Sequence, residues 1–149
     1  MSKTILLARP HPFIVTEMKP ILEKCGYNAL RPESVADLDA YAKRCDAAII
    51  SLAVYSDIEA SAEEVAAKIR QANSKTPIIF ASLLSFDRAE FIISRLLQAL
   101  GVSAKVVGTS NSTDSHQAVA SSVLYLAKDD LTDPALRARA EQLLRRYIG

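Results

Sequence analysis

Asp46-Ala-Ala-Ile-Ile-Ser51 decides how the rest of the chain is read. The run is nearly all apolar, too short for a helix, and bounded by a polar residue at each end. That pattern predicts a strand buried on both faces of a parallel sheet. In open α/β folds the residues just past the carboxyl ends of such strands face the crevice where ligands bind and chemistry is done. The residue at that point is Ser51.

The segments on either side alternate in the same manner. Upstream, Thr4 to Ala8 is a compact apolar strand. Arg9-Pro10-His11-Pro12 follows as a stiff loop, because each proline restricts itself and its predecessor. A helix is expected from Phe13 to Cys25, with Pro20 bending it or delaying its start, and Gly26 supplies the positive φ that ends it. Tyr27 to Leu30 is a second strand, and Ser34 caps a helix ending near Arg44. Downstream, Ser61-Ala-Glu-Glu64 has the capping-box pattern of a helix start. Pro77-Ile-Ile-Phe-Ala81 reads as a fourth strand, with proline tolerated at its start. Ser85 or Asp87 caps a helix to Leu100, Gly101 stops it, and Ala104 to Val107 is a fifth strand. Residues 108 to 114 form the most turn-rich segment of the chain. A helix is expected from Ser115 to Ala127, and Asp133-Pro134 opens a last helix to about Tyr147. Strands alternating with helices call for a parallel sheet covered on both faces.

Composition narrows the function classes. With 149 residues, half of them apolar, the chain has the size and makeup of one globular domain. A formal net charge of +1 gives no overall pull toward nucleic acid or membrane. Cys25 and Cys45 form no metal-binding spacing, and no metal or cofactor is expected. No apolar stretch reaches membrane-spanning length, and Arg9-Pro10 interrupts the opening run before signal-peptide length. A cytoplasmic protein is the expectation.

The chain resembles a bacterial response-regulator receiver domain over roughly residues 3 to 127. The resemblance is carried by the opening strand with Pro12-Phe13, by Gly26-Tyr27, and by the Asp46 strand. Thr76-Pro77 before the fourth strand and Gly101 before the fifth add to it. It implies a flavodoxin-like three-layer sandwich with a five-stranded parallel sheet in the order 2-1-3-4-5. Residues 1–130 would be the receiver-like part, and 131–149 a helical extension packed on it or used in dimerisation. Receivers transfer a phosphoryl group to their own aspartate. Two acids after the first strand and the acceptor after the third bind Mg²⁺ through oxygen. A Ser or Thr after the fourth strand and a Lys after the fifth stabilise the transferred oxygens. Here the acid pair falls on Arg9 and Pro10, the acceptor on Ser51 and the lysine on Gly108. Only the hydroxyl remains, as Ser82. Nothing at the matched positions offers Ser51 a base. The resemblance is therefore to a pseudo-receiver that has dropped the phosphorylation chemistry, and no enzymatic activity is expected.

Two binding surfaces follow. Arg9, Ser51, Ser82 and Thr109 could form a polar ring at the carboxyl edge of the sheet, with small hydroxyls leading into a helix and suited to an anion or nucleotide. No glycine-rich phosphate fingerprint accompanies them. The helix from Phe86 to Leu100 has an apolar arc of roughly 160°, wider than a surface helix needs, with Phe91 beside Arg95 outside it. Either the terminal helix, with its stripe of Leu136, Ala140, Leu143 and Tyr147, or a second copy of the chain would cover part of that surface. Phe91, Arg95, Leu136, Leu143 and Tyr147 are the candidate interface. The arginines of the last helix read as a solvated face, with no aromatic platform for nucleic acid. The leading expectation is a phosphorylation-independent signalling module that acts by protein–protein contact, with a homodimer among the forms it could take. The alternative is a sensor of a small anionic ligand at the sheet edge. No attached output domain is expected, and the effect of the chain would pass through another molecule.

Overall fold

A computed structural model describes residues 3–53, 56, 60–109 and 122–148, together with the backbone but not the side chain of Phe13. The expected turn residues 110–114 and the first part of the expected helix from Ser115 lie outside the described residues. The elements run β1 (Thr4–Arg9), α1 (Pro12–Lys24), β2 (Asn28–Leu30), α2 (Val35–Ala42), β3 (Ala47–Ser51), α3 (Ala62–Ala72), β4 (Ile78–Ser82) and α4 (Phe86–Ala99). They continue with β5 (Lys105–Val107), β6 (Ser122–Ala127), α5 (Lys128–Thr132) and α6 (Pro134–Ile148). The strands form one six-stranded sheet in the order β2-β1-β3-β4-β6-β5, and every pairing is parallel.

The α/β flavodoxin-like class expected from the sequence holds, and β3 is the wholly buried strand it was read to be. Local rules account for several boundaries. The Ser34 hydroxyl accepts the Asp37 N–H and the Ser61 hydroxyl accepts the Glu64 N–H, which closes the open starts of α2 and α3. Gly26 and Gly101 both adopt positive φ, +87° and +71°, where the chain leaves α1 and α4. Pro20 does not delay α1, which begins at Pro12. Its ring lies on the exposed side, so the carbonyl it leaves unpaired within the helix can turn to water.

The expected helix up to Ala127 is corrected at its end. Ser122-Val-Leu-Tyr-Leu-Ala127 is a strand, inserted between β4 and β5. Four consecutive residues, Val123 to Leu126, are buried, which one side of a helix cannot achieve and a central parallel strand requires. The sheet therefore has six strands rather than five, and Lys105–Val107 is its outer edge rather than the neighbour of β4.

Helices cover both faces. On one side α1, α5 and α6 pack Met18, Ile21, Leu22, Leu131, Leu143 and Leu144 against Ile5, Leu7, Ile49, Ile79 and Leu124. On the other, α2, α3 and α4 pack Leu38, Val65, Ile69, Ile93 and Leu97 against Leu6, Ile50, Phe80 and Tyr125. The two sets of sheet residues alternate along each strand, as the pleat demands. The terminal helix and α4 thus lie on opposite faces, so α6 does not cover α4. Lys3 fixes the end of α6 by donating from Nζ to the Ile148 carbonyl at 2.8 Å.

Candidate functional site

The carboxyl ends of β1, β3, β4 and β6 lie at one edge of the sheet, where three of the four strands end on a polar residue, Arg9, Ser51 and Ser82. The register between β1 and β3 shifts between Leu7 and Arg9, so one extra residue in β1 displaces the strand at its end. Such a bulge re-aims the side chain that follows it. That side chain is Arg9, which is only 6% exposed. Its Nε donates to the Ala60 carbonyl and its guanidinium Nη1 to the Ser51 carbonyl, each at 2.8 Å. The same nitrogen also donates to the Ala53 carbonyl. Burial lowers the Arg9 pKa from its ordinary value, but a guanidinium keeps its proton at any ordinary pH. A fixed positive charge therefore stands at the end of β3, bonded to backbone oxygen. The preceding loop is fastened too, because the Ser56 hydroxyl donates to the Pro10 carbonyl at 2.7 Å.

Ser51 is completely buried, and its Oγ accepts the Ala53 N–H at 3.1 Å. Ser82 is also buried, and its Oγ lies 2.7 Å from the Tyr125 hydroxyl and accepts the Leu84 N–H at 3.1 Å. The proton positions follow from counting donors. Tyr125 has one hydroxyl proton, directed at the Leu84 carbonyl 2.6 Å away, so Ser82 must be the donor in the Ser82–Tyr125 contact. Burial pushes the Tyr125 pKa up to about 12, against the lowering effect of the Ser82 hydrogen bond, with nearby Asp130 adding to the rise. The hydroxyl at the end of β4 is thus saturated within the chain.

The strand beside β4 ends at Ala127, so the residue that follows it is the exposed Lys128. Gly108, expected in that place from chain order alone, instead follows the edge strand. Lys128, not Gly108, is thus the residue that directly follows the strand beside β4. Sequence reasoning missed it for the same reason it missed β6. It also missed Asp130, a buried carboxylate that joins two strand ends. Asp130 accepts the Thr109 hydroxyl at 2.6 Å and the Ala127 N–H at 2.8 Å. Of the residues expected to hold an anion, Arg9, Ser51 and Ser82 gather at this edge and Thr109 joins through Asp130. Each already engages a partner within the chain and would have to exchange it to bind a ligand. Among the described residues no cluster of three His, Cys, Asp or Glu side chains could hold a metal ion.

The expected interface residues divide. Leu143 and Tyr147 are buried against the sheet and α1, so neither is available as a surface, and Leu136 is 37% exposed. Phe91 is 63% exposed with the Arg95 guanidinium 5.6 Å from its ring centre, and Ile92 is 41% exposed. The buried residues of α4 are Ala89, Ile93, Leu96 and Leu97, an arc of only about 100°. Phe91 and Ile92, with Leu83, 57% exposed directly after Ser82, leave apolar side chains in the open near the polar edge. A shallow groove lined by Leu84, Asp87, Arg88, Phe91 and Ile92 runs through it.

No family model and no curated protein matches the sequence. Solved structures do match. The receiver domain of a sensor histidine kinase from Pseudomonas aeruginosa, described with a magnesium ion coordinated in its active site cleft, is 20% identical over the whole of this chain and 99% of its own. Its TM-score is 0.59. A response regulator from Thermotoga maritima is 13% identical with a TM-score of 0.61, each chain covered completely. A chemotaxis protein of Vibrio cholerae is 14% identical with a TM-score of 0.61, covering 96% of this chain and 98% of its own. The fold is that of response-regulator receiver domains.

Proposed function

We propose that this chain is a receiver-fold signalling module that works without phosphorylation, through contact with another protein. The observation that carries this reading is the Arg9 guanidinium bonded to the carbonyls of Ser51 and Ala53. The Pseudomonas receiver holds magnesium in its cleft. The residues at the corresponding strand ends here do not fit that ion. Magnesium needs hard oxygen ligands, commonly carboxylates, and Arg9, Pro10 and Ser51 supply none from their side chains except one buried hydroxyl. A resident cation on the β3 carbonyls also repels a second one.

The remaining parts cannot replace what is missing. Lys128 could neutralise a phosphoryl oxygen, but among the described residues no carboxylate stands at the end of β3. Ser51 is buried with its oxygen engaged, and a serine nucleophile needs a base beside it. What the molecule does offer is a rigid polar edge flanked by the exposed Leu83, Phe91 and Ile92, an apolar surface of the kind that marks protein contact sites. The output is binding by that surface, with no catalytic step.

Incubation with acetyl phosphate and Mg²⁺, followed by intact-mass measurement, tests the phosphorylation half of the reading. The mass is expected to stay unchanged. A stable phosphoryl adduct on the wild-type chain, abolished by Ser51→Ala, would overturn it.

A further inference from the structure

The opposite edge of the sheet, where the strands begin, holds a cavity of about 450 Å³. It opens where the end of α3, the turn before β4, the turn before β5 and the start of β6 come together, with α6 closing one side. Its volume lies in the range of cavities that enclose small organic ligands, about 300–1,000 Å³.

Charge and polarity are arranged unevenly around it. Among the described residues, Arg70 and Lys75 are its charged lining residues and no carboxylate lines it. Among the described residues, neither side chain has an ion-pair or hydrogen-bond partner. Two cations sharing one concave space without a counter-charge raise the local potential well above that of a chain with net charge +1.

Thr76 supplies an independent sign. It is nine-tenths buried and lines the cavity. Its backbone N–H donates to the Asn73 carbonyl, but its hydroxyl has no partner among the described residues. Other buried hydroxyls of this protein, on Ser51, Ser82 and Tyr125, are engaged within the chain. The Thr76 hydroxyl therefore opens onto the cavity and is available to hydrogen-bond whatever occupies it. Across the cavity, Ser122 and Tyr147 hydrogen-bond to each other and so present a fixed polar wall. The floor is apolar, formed by Leu97, Val102 and Val123.

We propose that this cavity binds a small amphipathic anion, an organic phosphate or carboxylate with an apolar body. The headgroup lies between Arg70, Lys75 and the Thr76 hydroxyl, and the body rests on Leu97 and Val123. Inorganic phosphate alone would satisfy the cations but leave the apolar floor uncovered. A neutral aromatic compound would do the reverse. The site is separate from the polar edge of Arg9 and Ser51, which lies past the other ends of the same strands.

The test titrates 2-naphthyl phosphate, 2-naphthol and inorganic phosphate separately into the ¹⁵N-labelled full chain, following amide shifts. Naphthyl phosphate is expected to move the amides of Thr76, Val102, Ser103 and Ser122 saturably. Naphthol and inorganic phosphate should each bind at least about tenfold more weakly, because charge-assisted hydrogen bonds and apolar burial each contribute on that scale. Arg70→Gln with Lys75→Gln should weaken naphthyl phosphate about tenfold or more while leaving the remaining spectrum in place. Thr76→Val, which keeps the volume and removes the hydroxyl, should weaken it by a smaller factor. Equal binding of naphthol, no saturable shift at these four amides, or full binding by the double variant would each overturn the proposal.

Discussion

Arg9 places a fixed positive charge at the end of β3 and holds the turn that follows it. Replacing it with methionine keeps the length and removes the donors to Ala60, Ser51 and Ala53. Leaving buried carbonyls without partners should cost about 2–4 kcal/mol of unfolding free energy. Arg9→Lys retains the charge but not the planar fork and should fall between the two. Urea denaturation checks both, and a methionine variant as stable as wild type would show that the turn does not depend on the guanidinium. Tyr125 gives a pH signature. Its folded pKa, near 12, lies above the ordinary tyrosine value of 10.0, so the folded state favours the neutral phenol. The stabilisation is complete below about pH 10 and is lost as the pH rises toward the folded pKa, up to about 2–3 kcal/mol in all. Denaturation at pH 9 and about pH 11.5 should therefore show a larger loss for wild type than for Tyr125→Phe, which has no phenol to ionise. Equal losses would mean that Tyr125 does not carry the alkaline sensitivity.

At the scale of elements, what could be read from the sequence was whatever announced itself within a few residues. Ser34 and Ser61 marked their helices, Gly26 and Gly101 marked their exits, and the Asp46 to Ser51 run gave β3. The run Val123-Leu124-Tyr125-Leu126 carries the same signature of consecutive buried apolar residues, but it follows a turn-rich segment that invites a helix reading. That single choice put Gly108 rather than Lys128 after the strand beside β4 and hid Asp130. The pairing of Tyr125 with Ser82 was not legible at all, because it depends on β6 lying beside β4, a contact 43 residues apart in sequence. Packing also decides between the two helices proposed as interfaces. Leu143 is fully buried, so Leu143→Ala should cost about 2–5 kcal/mol in urea denaturation. For the same reason, removing residues 131–149 would dismantle a core layer rather than expose a contact surface. Phe91→Asp, on the open side of α4, should change stability by no more than about 0.5 kcal/mol while weakening association with a partner or second copy. Sedimentation with and without the substitution reports the self-association, and a large loss of stability would show that Phe91 is a packing residue instead.

For the whole molecule, the sheet has two differently equipped edges. At one, Arg9, Ser51, Ser82, Tyr125 and Asp130 are bonded to one another or to backbone, so the edge where receivers do their chemistry is already filled by the chain itself. At the other, Arg70, Lys75 and Thr76 surround open space. The central claim, that the first edge has exchanged phosphorylation for a fixed internal network, is tested most directly with Mg²⁺ and beryllofluoride, the aspartyl-phosphate mimic. An amide ¹H–¹⁵N correlation spectrum recorded through that titration should show no saturable shifts at Ser51 to Ala53, Ser82 to Leu84 or Lys128. Saturable shifts at those amides would mean that the edge still takes up metal and a phosphoryl-like anion, and would contradict the account.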